Sequence, residues 1–257
     1  MKKITILLII PIILLSSKHN AQNRDIYQIK TYLMNTQQQM ETTESFLKDA
    51  YLPALKRLGI KSVGVFKPKT IDADSIKKVM VLIPFSSLEQ FSGLDSQLSN
   101  DSAYLTAGAN YLNAPYNQKP YLRIESTLLQ AFTDHPNLTP TSLTEPRKDR
   151  VYELRSYEAS TEAILKNKIE MFNKGGEVKL FDSLKFNAVF YGEVISGNKM
   201  PNLMYMTTFS NQASRDDLWK AFFSSPEWKV LSAKTEYKNN VSKSEIMFLT
   251  PTDYSDY

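Results

Sequence analysis

The residues with the most chemical potential lie on one short segment, VYELRSY at 151–157. Side chains alternate across a β-strand, so Glu153, Arg155 and Tyr157 share one face and Tyr152, Leu154 and Ser156 the other. Arg155 can grip a carboxylate with two parallel hydrogen bonds. Tyr157 follows about 7 Å further along the same face. Together they could hold a small acid or a phenol. The competing reading is a structural ion pair, because a buried arginine needs a partner and Glu153 stands two residues away. Trp219 and Trp228, with Phe222 and Phe223, supply an apolar wall for such a pocket, or core at helical spacing. The more apolar face of the strand is expected to meet the helices. That reading turns Glu153, Arg155 and Tyr157 toward the helix-free side.

Other chemistries are struck off by absence. The chain has no cysteine and two histidines, His19 and His135. Thiolate catalysis, a lipoprotein anchor and a cysteine-ligated metal are excluded. A zinc site, a histidine-held haem and a Ser-His-Asp triad lack their essential group, so neither a metal nor a cofactor is expected. No GxGxxG or GxxxxGK[ST] run occurs, so no nucleotide cradle is indicated. Met204 and Met206 share a strand face, but no histidine accompanies them to make a copper site.

The elements that must carry the segment come in two copies. IYQIKTY at 26–32 overlays VYELRSY at 151–157, with identical or similar residues at all seven positions. Gln28, Lys30 and Tyr32 then stand where Glu153, Arg155 and Tyr157 stand. The correspondence continues from Phe46 to Phe172, Val65-Phe66 to Val189-Phe190 and Phe85-Ser86 to Phe209-Ser210. So long a period marks a duplicated domain, since solenoid units are shorter. Pro136, Pro140 and Pro146 among polar residues mark an exposed linker. The reading gives unit 1 at 24–132, a linker at 133–149 and unit 2 at 150–257.

In unit 2, strands are predicted at 151–158, 186–195, 202–209 and 244–250. A helix capped by Ser160 runs through Phe172, and Gly175-Gly176 weakens or breaks it. Ser214 and Asp217 form a capping box for a second helix. Ser225-Pro226-Glu227 opens a third, with proline at its first position. In unit 1, strands are expected at 26–34, 61–67, 77–84 and 121–131. Helices are expected at 42–58, kinked by Pro53, and at 87–112, where Ser86 and Glu89 repeat the box. The order βαββαβ is the split-βαβ, ferredoxin-like pattern. Such a sheet carries helices on one face, so its other face needs a cover. The other unit, in an internal barrel, or a homodimer partner could supply it.

The N-terminus reads separately. Lys2-Lys3 precede an apolar run from Ile4 to Leu15, followed by small and polar residues up to Ala21. A membrane span needs about 20 apolar residues, so this is read as a signal peptide cleaved near Ala21. The mature protein would be periplasmic or extracellular, with no stable membrane insertion. The formal excess of four positive charges falls to one when Lys2, Lys3 and Lys18 leave. That argues against nucleic acid as a partner.

The repeated VYELRSY opening, the central VFYG (189–192) and the helix start SSPEW (224–228) together resemble the NIPSNAP family of the dimeric α/β-barrel superfamily. The resemblance spans nearly the whole mature chain in two copies, of which the second is closer. In the first, Asn100-Asp101-Ser102 replaces the Pro-Glu-Trp turn. The resemblance implies fold more than activity. Relatives in the wider superfamily include cofactor-free monooxygenases, isomerases and haem enzymes. The expectation is a non-catalytic protein that binds a small organic molecule or a protein. The alternative is a cofactor-independent oxygenase or isomerase acting on a small phenolic or enolisable substrate.

Overall fold

A computed structural model describes residues 23–69 and 76–257. The expected signal peptide lies outside the described residues. The first unit runs β1 (Ile26–Met34), α1 (Gln37–Phe46), a π-helical turn (Leu47–Tyr51), α2 (Leu52–Arg57), β2 (Gly64–Pro68) and β3 (Lys77–Phe85). It ends with α3 (Leu88–Ser99), α4 (Ser102–Ala107), α5 (Ala109–Leu112) and β4 (Arg123–Ala131). The second runs β5 (Val151–Glu158), α6 (Glu162–Phe172), α7 (Glu177–Ser183), β6 (Ala188–Ser196) and β7 (Asn202–Phe209). It ends with α8 (Gln212–Ser224), α9 (Pro226–Ala233), a 3-10 turn (Thr235–Tyr237) and β8 (Lys243–Pro251).

The two ferredoxin-like sheets close one barrel within a single chain, in the order β1-β3-β2-β8-β5-β7-β6-β4. All pairings are antiparallel. The units meet at two short seams. At one, Phe66, Lys67 and Pro68 face Pro251, Thr250 and Leu249. At the other, Leu128–Ala131 pair with β6. Closure removes both sheet edges, and each unit covers the helix-free face of the other.

The lumen is filled from both halves. Tyr27, Ile29, Phe66, Leu82, Tyr152, Leu154, Val189 and Phe190 form one apolar cluster. The opposite faces of the strands pack against the helices. Ile26, Tyr32 and Met34 join α1 and α2 residues in one cluster, while Tyr191, Tyr205 and Phe209 join Phe172, Phe181 and Trp219 in another. The orientation expected for β5 is therefore reversed. Tyr152 and Leu154 fill the lumen, whereas Glu153, Arg155 and Tyr157 face the helices. In a closed barrel both faces are buried, so the more apolar set need not meet the helices.

Helix starts depart from the sequence reading by short distances. Thr161, not Ser160, caps α6 through its side chain. Ser87 rather than Ser86 caps α3, and Gln90 reaches back to the Ser86 amide at 2.7 Å. α8 begins one turn before the predicted box, because Asn211 accepts the Ser214 amide at 2.9 Å. Ser225 and Pro226 start α9 as read. Pro53, expected to kink the helix, follows a π-helical turn, an irregularity of the kind found where helices bend. Gly176, at φ +92°, ends the passage from α6 to α7 in a backbone conformation that suits glycine. The linker is less free than its composition suggests: Leu138 packs on the lumen cluster and the Thr139 amide bonds Val189.

Candidate functional site

The site begins at the centre of β5. Glu153 is fully buried and accepts four hydrogen bonds from three side chains. Arg155 Nε donates to it at 2.6 Å, and Arg215 donates through Nε at 2.7 Å and Nη2 at 3.1 Å. The indole of Trp219 donates to the same carboxylate at 3.1 Å. The Arg155 guanidinium also lies over the Trp219 ring, 3.7 Å from its centroid. Arg215 sits in the first turn of α8, where the Asn211 cap sets the register that points it at β5.

Burial pushes the Glu153 carboxyl up, but the hydrogen bonds from Arg215 and the charge of Arg155 outweigh it and hold it below the usual carboxylate range. Burial pulls the Arg155 guanidinium down, yet Tyr205, Tyr157 and Glu153 leave it above its ordinary value. Two cations thus face one fully buried carboxylate, with exposed Asp216 sharing Arg215 at 2.9 Å.

The chain of bonds leads outward. Arg155 Nη1 donates to the Tyr157 hydroxyl at 2.9 Å, and that hydroxyl meets the Tyr205 hydroxyl at 2.9 Å. Tyr205 is buried, and burial raises its pKa well above the ordinary value. When Tyr205 donates, Tyr157 accepts from both neighbours and its own hydrogen is left to point elsewhere. Tyr157 lines a cavity of about 440 Å³ between the sheet and the helices of unit 2.

Aromatic residues build much of the cavity wall. Trp219, Phe222, Phe223, Trp228 and Tyr237 all contribute. Phe222 and Trp228 approach with ring centroids 4.5 Å apart. Across from them, Lys168 Nζ donates to Glu177 at 2.9 Å, both side chains being buried. This pair straddles the α6–α7 break, so the Gly176 turn places Glu177 against Lys168. Tyr157, Trp219 and Trp228 therefore line the cavity, while Glu153 and Arg155 stand behind it and touch its wall through Tyr157 and Trp219. Arg155 does not grip a ligand directly in this arrangement, because it lies outside the cavity lining and is held by Glu153 and Tyr157. Sequence reasoning missed Arg215, Lys168, Glu177 and Tyr205. Arg215 is separated from Glu153 by 62 residues, and no local pattern connects them.

The first unit has filled the equivalent space. Tyr111 stacks on Phe46 at 3.8 Å, and Tyr32 packs edge-on against Tyr111 and Tyr121. Lys30, the counterpart of Arg155, lies over the rings of Tyr51 and Tyr32 at 5.1 and 5.5 Å. Gln28 takes the place of Glu153 and donates to Ser126 Oγ at 2.8 Å. The duplicated framework thus carries a charged network beside an open cavity in one half and an aromatic plug in the other.

Comparison with known proteins bears on the fold and the family. A protein from Fusobacterium nucleatum named as a candidate monooxygenase superposes with a TM-score of 0.56 at 9% identity, covering 90% of this chain and 93% of that one. A second candidate monooxygenase, from Lactobacillus acidophilus, gives 0.54 at 12% identity, with coverages of 89% and 94%. An anthrone oxidase-like protein gives 0.52 at 9% identity, with coverages of 90% and 92%. At such identities the likeness speaks for the barrel fold alone. No curated protein matches the chain. The NIPSNAP family model matches residues 152–256, the half that holds the charged network and the aromatic cavity. This chain carries a NIPSNAP domain at residues 152–256.

Proposed function

We propose that this protein binds a small aromatic acid or phenol, without transforming it, in the cavity of its second unit. The observation that carries this reading is the Tyr157 hydroxyl. It extends the Glu153–Arg155 network, is polarised by a guanidinium, and belongs to a residue that lines an aromatic-walled cavity. A hydroxyl that accepts from a cation is a stronger donor toward a carboxylate or phenolate. The aromatic wall offers stacking and edge contacts to a flat ring. Lys168 and Lys238 against Glu177 leave the lining with a positive excess among the described residues.

Binding is favoured over catalysis by where the bases are. Proton abstraction needs a base within reach whose pKa suits it. Glu177 is the carboxylate of the lining among the described residues, and Lys168 holds it. Glu153 is ionised but enclosed. The Tyr205 hydroxyl is pushed away from ionisation by burial. The second reading, a cofactor-independent oxygenase or isomerase, draws on the names of the structural neighbours and would need one of these groups to be released. Native mass spectrometry of protein purified from its own host should show a retained aromatic acid or phenol that stays unchanged in air. Turnover of a phenolic or enolisable compound by metal-free protein would replace binding with catalysis.

We also propose export, on the strength of Lys2-Lys3 and the short apolar run behind them. Protein recovered from its host should begin near Gln22. Material that still begins at Met1 would end that proposal. A homodimer is not required to cover the helix-free faces, since each half covers the other.

A further inference from the structure

The barrel lumen is solid at one end and hollow at the other. Tyr27, Phe66, Tyr152, Phe190 and Tyr257 pack together at the closed end. At the open end a cavity of about 430 Å³ enters the lumen, within the range of small-molecule sites. It lies on the opposite face of β5 from the helix-side cavity, because its wall contains Leu154 and Ser156 rather than Tyr157.

The cup has two zones. Its depth is apolar, formed by Ile29, Met80, Leu154, Met204 and Met247. Three of these five are methionines, unbranched and polarisable side chains that adapt to the shape of a bound apolar body. Its collar carries Lys78, Lys199, Glu125 and Glu245. Lys199 pairs with Glu245, which also accepts from Lys243 at 2.8 Å. Between the zones, Ser156 and Asn202 are buried and bond each other at 2.9 Å. Asn202 has two donors and two acceptor sites, so that single partner leaves it capacity for a ligand group.

We infer that the barrel mouth is a second binding site, for a medium-chain amphiphile with an uncharged or zwitterionic head. The methionine-lined depth receives the chain and excludes water from it. The collar sets the head group. Two cations and two anions cancel, so a lone carboxylate or ammonium gains little from one sign without meeting the other. A sugar or a phosphocholine head satisfies both. This site stands apart from the helix-side cavity, and either can fail without the other.

Methionine methyl groups report the two cavities separately. Met80, Met204 and Met247 line the barrel mouth, whereas Met171 lines the helix-side cavity. The protein labelled with ¹³C-methyl methionine would be titrated with octyl glucoside, octyl phosphocholine and octanoate, each below its micelle concentration. Saturable shifts of the Met80, Met204 and Met247 methyls are expected with the first two, with Met171 unmoved. Octanoate should bind at least fivefold more weakly. Met204→Trp fills the cup and should weaken octyl phosphocholine binding at least tenfold. Met247→Trp, on β8 at the other side of β5, serves the same purpose if the first variant loses cooperative unfolding. Three results would overturn the inference: no saturable shift at the three methyls, shifts confined to Met171, or octanoate binding tightest. Undiminished binding by a folded tryptophan variant would do the same.

Discussion

Replacing Glu153 by glutamine should cost about 3–5 kcal/mol of stability, the penalty of leaving buried charge without its partner. Glu153 is fully enclosed and takes donors from Arg155, Arg215 and Trp219. An amide keeps the shape but offers one acceptor oxygen and turns an NH₂ toward a guanidinium. Both arginines then stay in place without the charge that balanced them. Removing all three charges is a different experiment. Glu153→Leu with Arg155→Met and Arg215→Leu leaves no orphan ion, and the methionine can keep part of the stack on Trp219. That triple variant should recover most of the loss, since apolar replacements of buried ionic clusters are often neutral or stabilising. Urea unfolding followed by tryptophan fluorescence gives both numbers. A triple variant as unstable as Glu153→Gln would mean that the network is needed for packing itself.

The same carboxylate predicts a pH dependence with a definite sign. Its folded pKa is held below the usual carboxylate range, so its contribution is fully present above the unfolded value of about 4.3. The contribution disappears as pH falls through the lower folded value. The gap between wild type and Glu153→Gln should therefore be constant from pH 7 down to about 5, and narrow below about 4. A gap that stayed constant into strong acid would show that ionisation of Glu153 is not its source.

Some of this was legible in the chain. The seven-residue match between 26–32 and 151–157 announced the duplication, and alternation placed Glu153, Arg155 and Tyr157 on one face. Ser225-Pro226 started α9 where the capping rule puts it. Which face met the helices was not legible, because a closed barrel buries both and hydrophobic contrast stops deciding. Nor was Arg215, since its approach to β5 depends on the register of α8, fixed by Asn211 one turn before the apparent box. The filling of the first unit's pocket was equally hidden. Tyr111 and Tyr121 read as ordinary aromatics, and only their stacking with Phe46 and Tyr32 shows that they occupy the space a ligand would need.

Tyr157→Phe should weaken binding of an aromatic acid by about 10- to 100-fold, equivalent to the roughly 1.5–3 kcal/mol of a hydrogen bond to a charged group. The ring packs edge-on against Tyr205 with centroids 5.5 Å apart, and phenylalanine preserves that contact. What vanishes is the hydroxyl that links Arg155 to Tyr205 at the cavity wall. Phenol, which lacks a full charge at neutral pH, should lose less than benzoate does. Equal losses for the two would mean that the hydroxyl shapes the cavity rather than donating to the ligand.

The most direct measurement uses a property of the composition. The chain has two tryptophans, Trp219 and Trp228, and both line the helix-side cavity. Fluorescence excited selectively at tryptophan, rather than at the 14 tyrosines, therefore reports this site. Titration with benzoate and 4-hydroxybenzoate should give a saturable change in wild type, shifted to at least tenfold higher concentration in Tyr157→Phe. A flat response to both compounds, or a Tyr157→Phe curve that overlays wild type, would contradict the assignment of this cavity as the ligand site.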